Sequence, residues 1–472
     1  MQNQQTVSDA AGADTYSSAN AALPREKLLT ALLGLAVVLM IMNTAMFNLA
    51  LPDVTAEFGV SQAVASWIVT GYSIVFSIAS ITYSRLSDFV PIRRLFVIGL
   101  LLLGLAAIAG LFSASFIMLL LARIMQATGA GGIISLSLVL LSRYIPVERR
   151  GKAMATIMSA VSLGLGLGPV AGGAIVEYFG WPYLFLVTAA SLLLVPLFLK
   201  LLPKEEPQRG SFDALGALLL AVGTTGILLF LTNDSWIALA VGVLAIFLFV
   251  YRIRSARDPF VQPALFRNRR YLALAAAGIA SYMCSFATLF IMPQMLVNRF
   301  EMTASHAGFI IFPGSLLAML VSRRVGDAID RYGNTAILTF APPVMLLSAL
   351  LFAIFAGHSW IAILLIYMLM SLGFTVMSSS ISNEMSRILP SSQIGSGMGL
   401  FQLLQFFSGA FSVALAATAM EWQHHLSLAA AYGNLFWGLT VIALLAIVCS
   451  FLYLRGPAKG IARNNAYSSP EA

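Results

Sequence analysis

The sequence predicts an all-α integral membrane protein with fourteen transmembrane helices, arranged as two six-helix lobes plus two linking helices. Three observations predict it. Of the 472 residues, 59% are hydrophobic and only 10% are charged, against about 25% charged in a soluble domain. Fourteen apolar windows approach the roughly 20 residues that a membrane-spanning helix needs. When those windows are threaded in turn, all of the 27 lysines and arginines except Arg123 and Arg299 fall on one side. So apolar a chain cannot cover a water-facing surface, which excludes a soluble enzyme, a disordered protein and a secreted disulfide scaffold. Cys284 and Cys449 both lie in apolar runs and imply no disulfide framework.

The windows fall at 29–51, 64–83, 95–113, 116–142, 152–176, 183–202, 213–232, 236–253, 272–297, 304–325, 335–356, 359–382, 394–419 and 430–454. Residues 1–27 read as a polar, disordered tail. Arg25 and Lys27 then precede an apolar run too long for a signal peptide and without a clear cleavage site, so the first span is expected to stay uncleaved. A first lobe is expected over 28–204, the linking helices over 205–255, a second lobe over 256–455 and a second polar tail over 456–472. The linking pair is joined by the tight connection Asn233-Asp234-Ser235. An even number of spans places both termini on one side, and the lysines and arginines make that side cytoplasmic. One missed span would scatter the basic residues over both faces. The net charge of +8 is thus explained by topology and the lipid bilayer, without a nucleic-acid partner.

One segment type recurs. Residues 84–94 read SRLSDFVPIRR after the second span, and residues 326–334 read GDAIDRYGN after the tenth. The shared frame is G-x-x-x-D-R-x-G. The later copy keeps Gly326, Asp330, Arg331 and Gly333, whereas the earlier keeps Asp88 and the basic pair Arg93 and Arg94. With the linking spans set aside, each copy follows the second span of a six-span half, the parallel-repeat layout of a two-lobed secondary transporter.

Further stretches share a pattern with a known family. NLALPD ends the first span at 48–53, and Arg123, Gln126, Gly129 and Gly131 stand in an R-x-x-Q-x-x-G-x-G spacing in the fourth. Gly164, Gly166, Gly168, Pro169, Gly172 and Gly173 cluster in the fifth. With RRGK at 149–152, and Ala307-Gly308 followed by Pro313, the chain resembles the major facilitator superfamily over roughly residues 28–455. Within it the chain resembles the fourteen-span drug:proton antiporters, and most of all the tetracycline efflux proteins of Gram-positive bacteria. LPDVTAEF at 51–58, Ser66-Trp67 and Leu86-Ser87-Asp88 are very like theirs.

The resemblance implies the major facilitator fold, alternating access, a small-molecule substrate and protons as coupling ion, in a bacterial cytoplasmic membrane. It also implies a gating role for the loop motif (Asp88, Arg93, Arg94, Asp330, Arg331). The antiporter motif (Gly164, Gly168, Pro169, Gly172, Gly173) is then expected to seal the two lobes. Departures accompany it. Ser84 and Pro91 replace glycines of the first loop motif, and Phe89 replaces the usual arginine. The embedded carboxylate that relatives carry in span one, five or thirteen is replaced by the neutral stretches Asn43-Thr44, Leu163–Leu167 and Ser408-Gly409.

The chemistry of individual residues sharpens this. Asp88 is expected to pair with Arg93 and Arg94 and to face a helix N-terminus across the lobe boundary, and Asp330 with Arg331 to do the same in the other half. An arginine inside a span costs about 2.5–3.5 kcal/mol at the helix centre and usually faces the bundle interior with a partner. Gln126 shares a face with Arg123, and Asn43, Asn48 and Asp53 are cross-helix candidates; snorkelling to the outer headgroups is the alternative. The pair Arg123 and Asp53 is the first choice for proton coupling, with Glu177 and His306 next. Asn43, Asn48, Tyr72, Gln126, Tyr282, Gln294, Gln402 and Gln405 are candidates for a substrate cavity, since a mostly apolar pocket with a few polar groups suits amphipathic ligands.

His306, His358, His424 and His425 map to outer span ends without metal-ligand spacing. No phosphate-binding loop or nucleophile motif occurs, so neither a cofactor nor an enzymatic activity is expected. The expected function is export of small amphipathic compounds, of drug or tetracycline type. Export of a metabolite, siderophore or lipid-like compound, or a non-transporting membrane sensor, are the alternatives.

Overall fold

The structure, a computed structural model, describes residues 25–455 apart from positions 49, 61, 66, 208–210, 234, 257, 391, 392 and 424. Residues 1–24 and 456–472 of the expected polar tails, with Ser66, Asp234 and His424, lie outside the described residues; Glu26 and Lys27, expected in the first tail, already belong to the first helix.

The spans begin with α1 (Glu26–Met46), α2 (Trp67–Leu86), α3 (Ile92–Leu111), α4 (Phe116–Tyr144) and α5 (Val147–Phe179). The sixth, α6 (Trp181–Leu201), is a composite of 3-10 and α segments rather than one smooth helix. Pro182 and Pro196 each remove a backbone donor there. The linking pair is α7 (Ala214–Asn233) and α8 (Trp236–Ser255). Then come α9 (Arg269–Phe300), α10 (Ala304–Tyr332), α11 (Asn334–Phe355), α12 (Trp360–Ile388), α13 (Ile394–Trp422) and α14 (Leu428–Arg455). Thirteen of these are long and apolar enough to cross a membrane, and α10, bent by 43° between Ser322 and Arg324, makes fourteen.

Local chemistry starts several helices. The side chains of Ser115, Ser235, Asn268, Thr303 and Ser359 each accept a backbone N–H of the first turn that follows, satisfying donors that a helix start leaves unpaired. The first span is shorter than its apolar window. It ends at Met46, and a separate short helix, Leu51–Phe58, follows with Pro52 in its first turn.

The two halves pair their helices alike. In the first, α1 packs on α5, α2 on α4, and α3 on α4 and α6; in the second, α9 packs on α13, α10 on α12, and α11 on α12 and α14. Across the halves α5 packs on α10 and α2 on α13, so the equivalent pairs are exchanged. The linking helices pack on each other, and α7 reaches both α2 and α13. Gly223, Gly226 and Gly242 let α7 and α8 approach to backbone contact. Large apolar side chains such as Leu193, Ile237 and Phe247 stay exposed, the face a membrane protein turns to lipid.

Candidate functional site

Arg123 is the eighth residue of α4 and has no exposed surface. It does not snorkel. Its Nη1 donates to Asn43 Oδ1 at 3.0 Å and to Gln126 Oε1 at 2.9 Å, and its Nε donates to the Ile68 carbonyl at 3.1 Å. The guanidinium carbon lies 3.9 Å from the ring centre of Phe47 and 4.2 Å from that of Tyr72. Asn43 donates in turn to the Tyr72 hydroxyl at 3.4 Å. Among the described residues no carboxylate belongs to this set. Two amide oxygens, a carbonyl and two ring faces offset the desolvation of the cation instead. Nη2 of Arg123 and Nε2 of Gln126 are buried with no partner among the described residues.

Asp53 and Asn48 do not join it. Both are exposed. Because α1 stops at Met46, both stand on the segment beyond it, which buries Phe47, Ala50 and Val54 but turns Asn48 and Asp53 outward. The short helix 51–58 buries Val54 and sets the Phe58 ring 6.4 Å from Phe116 and 5.9 Å from Trp181. Trp181 Nε1 donates to Glu57 at 2.6 Å. The expected Arg123–Asp53 pair is thus replaced by an arginine held through neutral groups.

The second half contributes a matching centre. Tyr282 on α9 and Gln402 and Gln405 on α13 are fully buried. The Tyr282 ring lies 5.1 Å from Phe374, 5.5 Å from Phe406 and 5.6 Å from Phe286. Its hydroxyl, and both amide atoms of each glutamine, lack partners among the described residues. Rings join the two centres: Phe76 stacks on Tyr72 at 6.1 Å and meets Phe406 edge-on at 4.7 Å. Tyr72 and Tyr282 therefore stand at the two ends of one aromatic seam between the lobes, with Asn43 and Gln126 tied to the Tyr72 end through Arg123. Gln402 and Gln405 lie within about one turn of Phe406 on α13, and Gln405 Nε2 packs beside Gly278 of α9. Gln294 joins neither end. It is half-buried and lies twelve residues beyond Tyr282, about 18 Å along α9. The residue-type reading missed Phe76 and Phe406, although Phe76 stands one helical turn from Tyr72 and Phe406 follows Gln405.

The face carrying the basic loops is latched shut. Asp88 pairs with Arg85 at 2.7 Å and Arg143 at 3.0 Å, not with Arg93 and Arg94. Those two lie in the first turn of α3, half-buried and exposed respectively, whereas Arg85 is one turn back on α2 and Arg143 ends α4. Burial pushes the Asp88 carboxyl above its ordinary value, and the two arginines oppose that rise. Across the lobes, the Ser84 hydroxyl donates to the Gly395 carbonyl at 2.6 Å. A Cβ at Gly395 would collide with the Asp88 carboxylate, so Asp88 does face the start of α13.

On the other side of the seam Asp330 accepts the backbone N–H of Gly151 at 2.7 Å and of Lys152 at 3.0 Å, near the start of α5. Lys152 Nζ reaches Asp327 at 2.8 Å. Arg331 takes no part. It is exposed, and its guanidinium carbon lies 5.4 Å from the ring centre of the adjacent Tyr332.

The glycines of α5 divide between two faces. A Cβ at Gly164, Gly168 or Gly172 would press on Ile41, Ala45 or Met46 respectively. All three belong to α1, so this stripe packs within the first lobe and does not seal the two lobes. Between α5 and α10 the cross-lobe glycines are Gly166 against Ser315, Gly151 against Ile329 and Asp330, Gly308 against Val170, and Gly326 against Lys152. Residues four apart stay on one helix face, while Gly166 is turned about 200° from Gly164. Pro169 and Gly173 are half-buried beside the stripe.

Comparison with known proteins agrees with this architecture. The riboflavin transporter RibZ of Clostridioides difficile is 26% identical over 436 residues, covering 89% of this chain and 96% of its own. The multidrug resistance protein Stp of Mycobacterium tuberculosis is 29% identical, covering 80% and 72%. Among solved structures, the human organic anion transporter MFSD10 aligns with a TM-score of 0.67 at 18% identity, over 91% of this chain and all of that one. The proton:xylose symporter XylE aligns with a TM-score of 0.62 at 15% identity, over 89% and 94%. The sequence profile described as Major Facilitator Superfamily matches residues 33–413, and the chain, a multi-pass membrane protein, belongs to that superfamily of transporters.

Proposed function

We propose that this protein exports small amphipathic aromatic compounds across a bacterial cytoplasmic membrane by alternating access, in exchange for protons. The carrying observation is the set of buried polar atoms on Arg123, Gln126, Tyr282, Gln402 and Gln405 that lack partners among the described residues, on helices that also carry the aromatic seam between the lobes or pack against it. A buried polar group left unpaired costs about 1–3 kcal/mol. Five such residues on these helices are consistent with a surface built to hydrogen-bond a ligand rather than to stabilise the fold. The rings of Tyr72, Phe76, Phe406 and Tyr282 supply stacking faces. The relatives support the class of cargo, since one bears the name of a riboflavin transporter and another that of a multidrug resistance protein. Drug efflux, including the tetracycline type, is the leading form of this reading.

The basic face is assigned to the cytoplasm, with both termini on it. The described latches then close the cytoplasmic side. Exchange for protons rests on the resemblance to drug:proton antiporters, and the latch acids are the groups we assign to it in place of Asp53.

The buried charge of the centre is positive and has no acid beside it among the described residues. Neutral, zwitterionic and anionic substrates are therefore preferred over permanent cations, which need a nearby negative charge at this depth. Counterflow in proteoliposomes tests the reading. A neutral or anionic aromatic compound exchanges, ethidium exchanges far more slowly, and Arg123→Ala abolishes exchange while the protein still inserts. Preferred transport of ethidium refutes the charge argument. Binding without any counterflow identifies a sensor.

A further inference from the structure

A groove lies at the basic end of α8. It encloses about 580 Å3 and runs between Phe249, Val250, Ile253 and Arg254 of α8 and Phe266 and Arg267 of the segment leading into α9. At 100° per residue, Val243, Phe247, Val250 and Arg254 fall in a strip about 60° wide along one face of α8. The apolar members are exposed, Phe247 by 70%, so the strip continues from the groove into the hydrocarbon. Arg254 closes its polar end, and Arg267 faces it from the short helix Ala264–Arg267.

Both arginines are exposed, and neither joins an ion pair among the described residues. The nearby acids are engaged elsewhere: Asp213 pairs with Arg252 at 3.2 Å, and Asp258 accepts the Ser211 hydroxyl at 2.7 Å. The groove thus combines a long apolar wall open to lipid with two free guanidiniums at headgroup depth.

We infer that this groove binds an anionic phospholipid. The guanidinium pair takes the phosphate, since the planar fork matches phosphate oxygens, and an acyl chain lies along the Val243–Phe247–Val250 strip. Basic pockets between spans on the cytoplasmic side suit anionic headgroups, each arginine contributing about 1 kcal/mol. A zwitterionic lipid would bring its own cation to the same place. A second copy paired through α8 in the same orientation would set four arginines at one depth, an unfavourable like-charge contact. A lipid held here joins α8 to the start of α9 and so ties the linking pair to the second lobe. The inference stands on this surface alone and is independent of the transport reading.

The test uses the purified full chain in non-ionic detergent, with native mass spectrometry and thermal unfolding after addition of phosphatidylglycerol or phosphatidylcholine. The wild type retains phosphatidylglycerol and gains thermal stability from it, with little response to phosphatidylcholine. Arg254→Ala with Arg267→Ala weakens phosphatidylglycerol retention about thirty-fold, the product of two such contributions. Arg254→Lys with Arg267→Lys loses less. Lys200→Ala with Lys204→Ala, which removes the same charge from another exposed part of the basic face, changes nothing. Equal retention of the two lipids, or undiminished retention in the double alanine variant, overturns the inference. So does full competition by glycerol phosphate, which would mark a site for free phosphate. A change in oligomer mass without a change in bound lipid would mark a protein interface and also overturns it.

Discussion

Arg123 carries a formal charge into the first lobe with no acid beside it among the described residues, and its three hydrogen bonds leave Nη2 unpaired. Polar contacts that existed only to stabilise packing would pair more completely, as buried polar groups normally do. The same logic makes Gln405 informative. Gln405→Met keeps the volume and removes two unpaired buried amide atoms. It should leave the melting temperature unchanged or raise it, while weakening substrate binding at least about tenfold, the worth of one lost hydrogen bond of ~1.4 kcal/mol. A thermal-unfolding series beside a binding isotherm checks this. A fall in both would make Gln405 a packing residue.

At the scale of elements, α5 serves two partners from two faces. Gly168→Leu should damage assembly of the first lobe, because Ala45 of α1 occupies the space that its side chain would need. Gly166→Leu should leave the lobes assembled but stop transport, because Ser315 lies across the seam. Membrane yield and detergent-stable fraction separate the two outcomes: well-folded Gly168→Leu with lost counterflow would restore the sealing role to the Gly164 stripe.

The latch between α2 and α13 makes a pH prediction. Burial raises the proton affinity of Asp88 in the closed conformer against the pull of Arg143 and Arg85. Relative to a conformer in which Asp88 is solvated, acid therefore favours closure. That bias is complete below the ordinary carboxyl value of about 3.9 and is lost as pH rises through the raised value. Spin-label distances between the basic ends of α2 and α13 should shorten on acidification, and Asp88→Asn should remove the dependence. Lengthening in acid would reverse the sign of the coupling.

For the whole molecule, the exchange of equivalent pairs, α5 with α10 and α2 with α13, places the seam around a two-fold relation between the halves. Such a layout suits the proposed alternating access, in which one lobe rocks against the other. The latches at Asp88 and Asp330 join opposite sides of that seam, so both must open for the basic face to admit a ligand. Topology labelling tests the frame. Single cysteines at Arg94 and Arg331 should react only from the cytoplasm and one at Arg299 only from outside. Reaction of the label at position 331 from outside would break the fourteen-span order.

The number of spans, their approximate positions and the burial of Arg123 beside Asn43 and Gln126 were legible in the residues alone, although α10 and α12 run on to Tyr332 and Ile388, past the apolar windows that ended at 325 and 382. Bilayer thickness imposes a length on apolar runs, and the cost of an embedded charge demands polar neighbours. These are properties that add up along the chain. The break of α1 at Met46, which carries Asp53 out of reach, was decided by the packing of the short helix 51–58 on Phe116 and Trp181. The partners of Asp88 were decided by where α4 ends, and the two faces of α5 by which helix each glycine meets. The seam from Tyr72 through Phe76 and Phe406 to Tyr282 joins residues hundreds of positions apart. Such contacts depend on the rotation of each helix about its own axis and on which distant helix lies against it, and neither is written in hydropathy or spacing.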